Sequence, residues 1–342
     1  MKRVTIKDVA NAAGVSVTLV SFVLNAKVGK DGRLDCPVNQ NTAKRVLEVA
    51  NKMGYRKNVA AASLRSGRSH SIAVIPTDIS NKFFAEISRK IEDKAYEYGY
   101  TVLFGSSDED VNKLDSVLDT VMAYNIDGVI LAPVKNCEDS VRKLVEANIP
   151  VVLLDRDLRG VDGVGKVLLD DFQAGSIATE ELLKSGCKKI EMISYNLEIS
   201  SLLERERGYK QKMIDNGLAN NIKINYTTYE SVEEDVKNII AEARKRGTDA
   251  FFLPTYSLSA QVMSVMKDLG LGTPEDFAIV GFDKSNIYKL FATTVAHIIQ
   301  PLSELGETTV ELIHDMIEGK REPETIVLKP ILVPGGSAQK KN

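Results

Sequence analysis

Apolar positions follow two different rhythms along this chain. Over the first 57 residues they step by three and four in short runs. The runs are Val9, Ala10 and Ala13; then Val17, Val20, Val23 and Leu24; then Val46, Leu47, Ala50 and Met53. Each run marks one face of a short α-helix. Thr5-Ile6-Lys7-Asp8 has the form of a capping box with Asp in place of the usual Glu or Gln, Gly14 breaks the first helix, and Ser16 can cap the second. Helix, glycine-containing turn, helix is the helix-turn-helix pattern. Residues 26–37, with two glycines and a proline, read as a loop before a third helix at about 40–53. Residues 58–69 are small, polar and basic, and read as a linker or a marginal helix.

From residue 70 strand-like apolar runs alternate with amphipathic helices. The runs are 71–76, 101–104, 128–132, 151–154, 166–169, 190–194, 250–253 and 277–282. Phe84, Ile87, Ile91, Ala95 and Tyr98 form one intervening helix face; Leu114, Val117, Leu118 and Val121 form another; Val236, Ile239, Ile240 and Ala243 a third. Short apolar strands alternating with helices predict parallel sheets built of βαβ units, covered on both faces. This stretch is too long for one small open sheet and predicts two lobes. Ligands of such sheets bind beyond the carboxyl ends of the strands, here the cleft between the lobes.

Composition fits a two- or three-domain globular chain: 342 residues, 44% hydrophobic, 27% charged, net charge −3. The net charge hides an asymmetry. Residues 1–70 hold thirteen Lys and Arg against four acids, a balance of +9, and the remainder balances at −12. A small basic segment on a large acidic body fits a nucleic-acid-binding head, or else a solvated basic surface with no partner.

Enzyme chemistry finds little support. Cys36, Cys137 and Cys187 stand far apart, as do His70, His297 and His314, so neither a disulfide framework nor a zinc site is expected. The segment from Gly160 to Val167 nearly matches a phosphate loop, but Val167 replaces the metal-binding hydroxyl and a strand follows, so a glycine-rich turn is expected. Asp108-Glu109-Asp110-Val111-Asn112 begins like a calcium loop but lacks its glycine and distal Glu; it reads as a polar helix start. No GxGxxG, no GxSxG and no pair of side chains at catalytic spacing stands out. No catalytic residue, metal or cofactor is expected. The N-terminus has no apolar signal core and no run is long enough to span a bilayer, so a cytoplasmic protein without a membrane partner is expected.

Val4-Thr5-Ile6-Lys7-Asp8-Val9-Ala10, Ala13-Gly14-Val15-Ser16, Val20-Ser21 and Val23-Leu24-Asn25 resemble the head of the LacI/GalR bacterial transcription regulators. So do Arg45-Val46-Leu47, Gly54-Tyr55, Asn58, Ala61 and Ser63-Leu64-Arg65. The likeness continues through Asp78 to Phe84, Asp127-Gly128-Val129-Ile130, Asp155-Arg156, Gly281-Phe282-Asp283 and Gln300-Pro301. It implies an all-α helix-turn-helix N-terminal head (1–57), a hinge helix and linker (58–69), and an α/β core of two doubly wound parallel-sheet lobes like periplasmic binding proteins (70–337). The N-lobe is expected at about 70–165 and 300–325, the C-lobe at about 166–299 and 326–337, with a tail at 338–342. The implied protein is a homodimeric regulator, a repressor rather than an activator. It would bind a near-palindromic double-stranded operator under allosteric control of a sugar or sugar derivative held between the lobes. A solute-binding protein of the same core, or an α/β enzyme, are the alternatives; the basic head opposes the first and the missing catalytic constellation the second.

The resemblance also implies roles. Val17, Thr18, Ser21 and Phe22 face bases in the major groove. Phe22 stands where the family commonly has Arg or another polar or aromatic residue, and a ring meets thymine methyls, not guanine; core packing is the other reading of Val17 and Phe22. Thr5, Ser16, Asn25, Tyr55 and Asn58 contact phosphate and sugar, or cap helices, or do both. Leu64 is a minor-groove wedge in a paired hinge and Ala61 permits close approach. Lys57 replaces a common Pro and Ala62 a common Arg. The loop 26–37 is longer than usual; its Lys27, Lys30 and Arg33 either touch DNA backbone or hang free. In the cleft, Asn81, Phe83, Phe84, Arg156, Arg205, Asp283 and Gln300 fall at ligand positions, with interlobe pairing as the other reading. Tyr256-Ser257 replaces a frequent Asn-Asp, so Tyr256 is expected to meet a different or larger effector.

Overall fold

The structure, a computed structural model, describes residues 4–28, 34–56 and 67–339, and the chain divides into two compact units, Met1–Ser69 and His70–Asn342. The hinge candidates Asn58, Ala61 and Leu64, with Lys57 and Ala62, lie outside the described residues.

The first unit holds α1 (Ile6–Ala13), α2 (Val17–Asn25) and α3 (Gln40–Lys52). Asp8 N donates to Thr5 Oγ1 and Thr5 N to Asp8 Oδ2, so the expected capping box forms with Asp as its acid. Gly14 takes φ 64, which a residue with a Cβ adopts only at a cost, and the chain turns by 106° into α2. Ser16 accepts from Leu19 N to cap α2. Val9, Ala10, Ala13, Val20, Val23, Ala43, Val46 and Ala50 are buried together and form the core of this unit. The segment expected as a plain loop contains a short antiparallel ribbon, β1 (Lys27–Val28) against β2 (Leu34–Asp35). The Gln40 side chain exchanges two hydrogen bonds with the backbone of Leu34 and ties the ribbon to α3. Two residues per strand give too little alternation to register as a strand in sequence.

The second unit contains two six-stranded sheets. The N-lobe sheet is made of β3 (Ser71–Ile75), β4 (Thr101–Phe104), β5 (Gly128–Leu131), β6 (Val151–Leu154), β7 (Gly165–Leu169) and β13 (Thr325–Leu328), in the order β13-β7-β6-β5-β3-β4, all parallel. Its helices are α4 (Lys82–Glu97), α5 (Val111–Ala123), α6 (Glu138–Glu146) and α11 (Leu302–Ile317). The C-lobe sheet contains β8 (Ile190–Tyr195), β9 (Lys223–Thr227), β10 (Ala250–Phe252), β11 (Ala278–Phe282), β12 (Ala296–Ile299) and β14 (Ile331–Val333), in the order β14-β12-β11-β10-β8-β9, with only β14 antiparallel. Around it lie α7 (Asp171–Lys184), α8 (Ser200–Asp215), α9 (Val232–Arg246) and α10 (Tyr256–Asp268). Central strands are buried on both faces, which is why they read as continuous apolar runs.

The expected lobe boundaries move at two places. Gly165–Leu169 pairs with Val151–Leu154 and with Thr325–Leu328, so both β7 and β13 belong to the N-lobe, not the C-lobe. β7 follows β6 through a turn rather than a helix, so it imitates the start of a new βαβ unit. The chain therefore crosses between lobes after β7, between β12 and α11, and between β13 and β14. Strands β9, β12, β13 and β14 had no expectation; β9, β13 and β14 are edge strands with exposed positions, and a short half-exposed strand lacks a clear apolar run.

One helix contact bears directly on the cleft. A Cβ at Gly175 on α7 would stand 2.0 Å from the Arg205 carbonyl oxygen, and one at Gly208 on α8 would stand 2.1 Å from that of Phe172. The two helices thus cross backbone to backbone, each through a glycine of its own. Gly208→Ala must push them apart and should cost about 3 kcal/mol or more. Urea unfolding of the variant checks this; an unchanged midpoint would show that the helices separate freely.

Candidate binding cleft and nucleic-acid face

In the first unit the side chains left outside the core by α2 lie on one stripe. Val17, Thr18, Phe22 and Asn25 are exposed and Ser21 is half-buried, one to two turns apart. Phe22 is 49% exposed and Val17 39%, so the core-packing reading of these two does not describe them. A large exposed aromatic on an N-terminally capped helix is available for contact with a flat apolar partner. Asn25 Nδ2 donates to Ser21 O at 2.7 Å and to Ser21 Oγ at 3.2 Å, so its amide is engaged within the helix. Thr5 and Ser16 are exposed caps, and Tyr55 packs partly against the core of this unit. Asn58, Ala61 and Leu64 are beyond the described residues.

In the second unit all eight cleft candidates come together. Asn81, Phe83, Phe84, Arg156, Arg205, Tyr256, Asp283 and Gln300 line one cavity of about 70 Å³ between the lobes. Topology explains the convergence. Asn81 caps α4 after β3, accepting from Phe83 N; Arg156 follows β6, Asp283 follows β11 and Gln300 follows β12. Each sits just beyond the carboxyl end of a parallel strand. Asp155 and Asp283 take φ 71 and 55, a left-handed bend that Asp tolerates better than most residues and that turns each chain sharply at the cleft. Phe83 and Phe84 meet edge to face at 5.0 Å, and Phe84 also belongs to the N-lobe core.

Sequence reasoning missed several members of the site. Asp155 and Ser257 line the cavity, as do Tyr195 and Tyr229, whose rings stack at 4.3 Å. Tyr195 ends β8, one residue past the expected strand, and Tyr229 follows β9, which was not expected; an aromatic at a strand end was the available signal. Asp171, at the first turn of α7, holds Arg205.

The charges are arranged in closed pairs. Arg205 Nε donates to Asp171 Oδ1 at 2.7 Å and Nη1 to Pro254 O at 2.7 Å, with the guanidinium 3.9 Å from the Phe282 ring centre. Arg156 grips Glu109 with both terminal nitrogens, at 2.8 and 2.7 Å, and Nη1 also donates to Pro133 O. Burial alone would lower Arg156, but the Glu109 hydrogen bonds and charge hold it above its ordinary value. Burial pushes Asp171 up to about 7, against the pull of Arg205. Burial likewise pushes Asp283 up to about 6, against Arg205 and the Gln300 hydrogen bond, and raises Asp155. Two buried polar atoms have no hydrogen-bond partner in the cleft: the donor Arg156 Nε, whose nearest carboxylate oxygen is 3.6 Å away, and the acceptor Gln300 Oε1. A hydroxyl group both donates and accepts, and can satisfy either. Aromatic faces with hydroxyl-seeking groups at the rim suit a polyhydroxylated ring.

The lobes are drawn together. Lys82 Nζ donates to Lys284 O at 2.6 Å, Lys135 pairs with Glu198 at 2.6 Å, and Asp157 N donates to Ser200 Oγ at 2.7 Å, each across the cleft. A cavity of about 70 Å³ has room for a few waters and falls well short of the roughly 300 Å³ of ordinary ligand pockets. A second cavity of about 700 Å³ shares Asp155, Arg156 and Ile199 with it. Lys135–Glu198 and Arg207–Glu204 pair along its lining, Arg156 borders both cavities, and Gln300 lines the smaller one. Tyr256 has a double position: it lines the small cavity and lies 5.1 Å beneath the Lys82 ammonium at the seam between lobes. Among the described residues no group of three or more His, Cys, Asp or Glu is placed to hold a metal ion, and no single helix is long and apolar enough to cross a membrane.

Comparison with known proteins agrees with this division. Residues 5–58 match the model of the lacI family of bacterial regulatory proteins, and residues 72–321 match a periplasmic binding protein domain. Catabolite control protein A of Priestia megaterium is 31% identical over 333 residues, covering 96% of each chain. A periplasmic binding protein/LacI transcriptional regulator from Alkaliphilus metalliredigens, solved with D-xylulofuranose, is 25% identical at TM-score 0.67 over 78% of this chain and 98% of its own. The lac repressor dimer bound to operator matches at TM-score 0.82 over 98% and 99% of the two chains; at 19% identity that likeness is one of fold.

The cleft carboxylates carry a signed pH prediction. Asp283 is raised from 3.8 to about 6 in the folded protein, so its charged form costs stability. That cost is absent below about pH 4, grows between about pH 4 and 6, and is complete above. Asparagine keeps the acceptor for Gln300 and tolerates the left-handed backbone. Asp283→Asn should therefore be more stable than the parent at pH 8 by about 1–3 kcal/mol, and equal to it near pH 4. Thermal melts at the two pH values decide; a variant less stable at pH 8 would show that the charged carboxylate is net favourable.

Proposed function

The chain belongs to the lacI family of bacterial regulatory proteins, and from that premise we propose that it is a sequence-specific transcription repressor acting as a homodimer under control of a sugar or sugar derivative. The single observation that carries this reading is the gathering of all eight ligand-type side chains into one interlobe cavity, in a chain that also carries a helix-turn-helix unit with an exposed α2 face.

The stripe Val17, Thr18, Ser21 and Phe22 enters the major groove. Phe22 supplies apolar contact, so a thymine methyl is its partner and a guanine is not. Thr5, Ser16, Asn25 and Tyr55 fix the register on phosphate and sugar, the first two while still capping their helices. Two such heads related by a twofold axis require a near-palindromic operator. Such a protein works in the cytoplasm, where the chromosome is.

In the cleft, Phe83 and Phe84 hold the ring of the effector, while Asn81, Arg156, Arg205, Asp283 and Gln300 bind its hydroxyls. Support comes from the relative solved with D-xylulofuranose and from the two buried polar atoms that lack partners, on Arg156 and Gln300. The cavity must widen to admit a sugar, so effector binding and lobe arrangement are coupled. A ligand shifts such an equilibrium by its differential affinity for the two arrangements, and operator affinity changes reciprocally.

Removal of residues 1–66 tests the regulator reading. The full chain should be retained on immobilised duplex DNA with a steep salt dependence, and the truncated chain should pass through. Equal retention would place DNA binding elsewhere or discard it. Site selection from random duplexes should return a near-palindrome, and Phe22→Ala should weaken binding to the selected site by about tenfold or more while sparing non-specific binding. Leu64→Ala is the matching test of the minor-groove wedge: operator affinity should fall with effector affinity unchanged.

A further inference from the structure

Glu109 fills the guanidinium fork of Arg156, a residue that lines the cavity. It lies in the turn between β4 and α5, in the stretch whose sequence imitates a calcium loop. Asp108 and Glu109 both adopt left-handed backbone, φ 50 and 58 in succession. Glutamate gains nothing locally from that conformation, unlike Asp or Asn. Surrounding bonds impose it. Asp108 N donates to Thr77 O at 2.6 Å, Ser106 Oγ donates to Asp108 Oδ1 at 2.6 Å, and Lys113 pairs with the other oxygen of Asp108. Asp110 then caps α5 through Asn112 N. The strained turn aims the Glu109 carboxylate at Arg156, where both oxygens meet both terminal nitrogens. That fork is the geometry in which an arginine binds a ligand carboxylate or phosphate.

The charge balance of the cleft follows. Arg205 is paired with Asp171 and Arg156 with Glu109. Asp155 and Asp283 remain on the cavity wall with no cation of their own at hydrogen-bond distance. With both guanidinium groups matched by carboxylates of the chain, neither is left to receive the carboxylate or phosphate of a ligand. What the cleft still offers are groups for neutral hydroxyls: Arg156 Nε, Gln300 Oε1 and the two carboxylates.

We propose that Glu109 is a specificity-determining residue, an internal carboxylate that fills the Arg156 fork and restricts the cleft to uncharged polyhydroxylated ligands, excluding sugar acids and sugar phosphates. The proposal rests on the sugar-effector reading above and narrows it. It assigns a function to a residue outside the cavity lining, acting through the charge state of one that lines it.

The test compares the full-length protein with Glu109→Gln and Glu109→Ala. Glutamine keeps the shape and one acceptor and guards against a misfolded alanine variant. Probes are D-ribose and D-glucose as neutral ligands, and D-ribose 5-phosphate, D-gluconate and inorganic phosphate as anions, read by thermal shift and calorimetry. The parent should show no response to the anions. Either variant should bind at least one anion tenfold or more tighter than the parent, and Arg156→Lys added to that variant should abolish the gain. Parent protein that binds an anion as well as its neutral counterpart overturns the proposal, as do two folded variants with no gain. If neither neutral sugar binds the parent while the variants gain anions, Glu109's role stands, and these two sugars are excluded as effectors by the same experiment.

Discussion

Two buried guanidinium groups set the conditions that the rest of the cleft has to meet. The Arg156 and Arg205 side chains are 7% and 5% exposed, the first just past β6 of the N-lobe and the second on α8 of the C-lobe. Removing such charges from water costs several kcal/mol each unless carboxylates stand within hydrogen-bond distance. For Arg205 the partner is on another helix, and only the glycine crossing of α7 and α8 brings Asp171 close enough. A methyl group at Gly175 or Gly208 would collide with backbone at about 2 Å, so the residues that permit the ion pair have no chemistry of their own. For Arg156 the partner comes from a turn held in left-handed backbone. Both devices spend conformational freedom to place a carboxylate, and both lie outside the cavity they serve.

This pairing makes the closed cleft a poised state. Burial shifts Asp155, Asp171 and Asp283 toward their neutral forms, while Lys82, Lys135 and Asp157 make bonds that hold the lobes together. Terms of opposite sign act on the same arrangement, and a ligand moves that balance by its differential affinity for the two states. Among the described residues the chain crosses between the lobes at three places, after β7, between β12 and α11, and between β13 and β14.

Sequence carried most of the candidate cleft because its residues stand at positions that topology enforces. Phe83, Arg156, Asp283 and Gln300 each follow a strand, and strand ends of parallel sheets face one cleft whatever the details of packing. The head was legible through its caps, since Thr5, Gly14 and Ser16 act within three or four residues of themselves. What escaped was non-local or weakly patterned. Asp171 and Glu109 matter through partners 34 and 47 residues away. Tyr229 was hidden because β9 is a half-exposed edge strand. β7 was assigned to the wrong lobe because a turn, not a helix, precedes it. The ribbon Lys27–Val28 with Leu34–Asp35 is fixed by Gln40, a tertiary contact with no local signature.

The pair Tyr256-Ser257 shows how a departure from a family pattern acquires its meaning from packing. By sequence, the exchange of an Asn-Asp pair for Tyr-Ser points to a different or larger effector. In the folded chain Ser257 Oγ shares a hydrogen bond of 2.8 Å with Tyr195 OH, so it is tied to the aromatic wall of the cavity. Tyr256 presents its ring to the Lys82 ammonium, and that same ammonium donates across the cleft to Lys284 O. A carboxylate at position 257 would add a third acid to a cavity wall that already carries Asp155 and Asp283. The substitution thus relieves like-charge repulsion and strengthens the seam, so its effect falls on the closing equilibrium as much as on the shape of the ligand. Glu109 adds a negative charge beside the cleft at a point where a cation, Arg156, receives it.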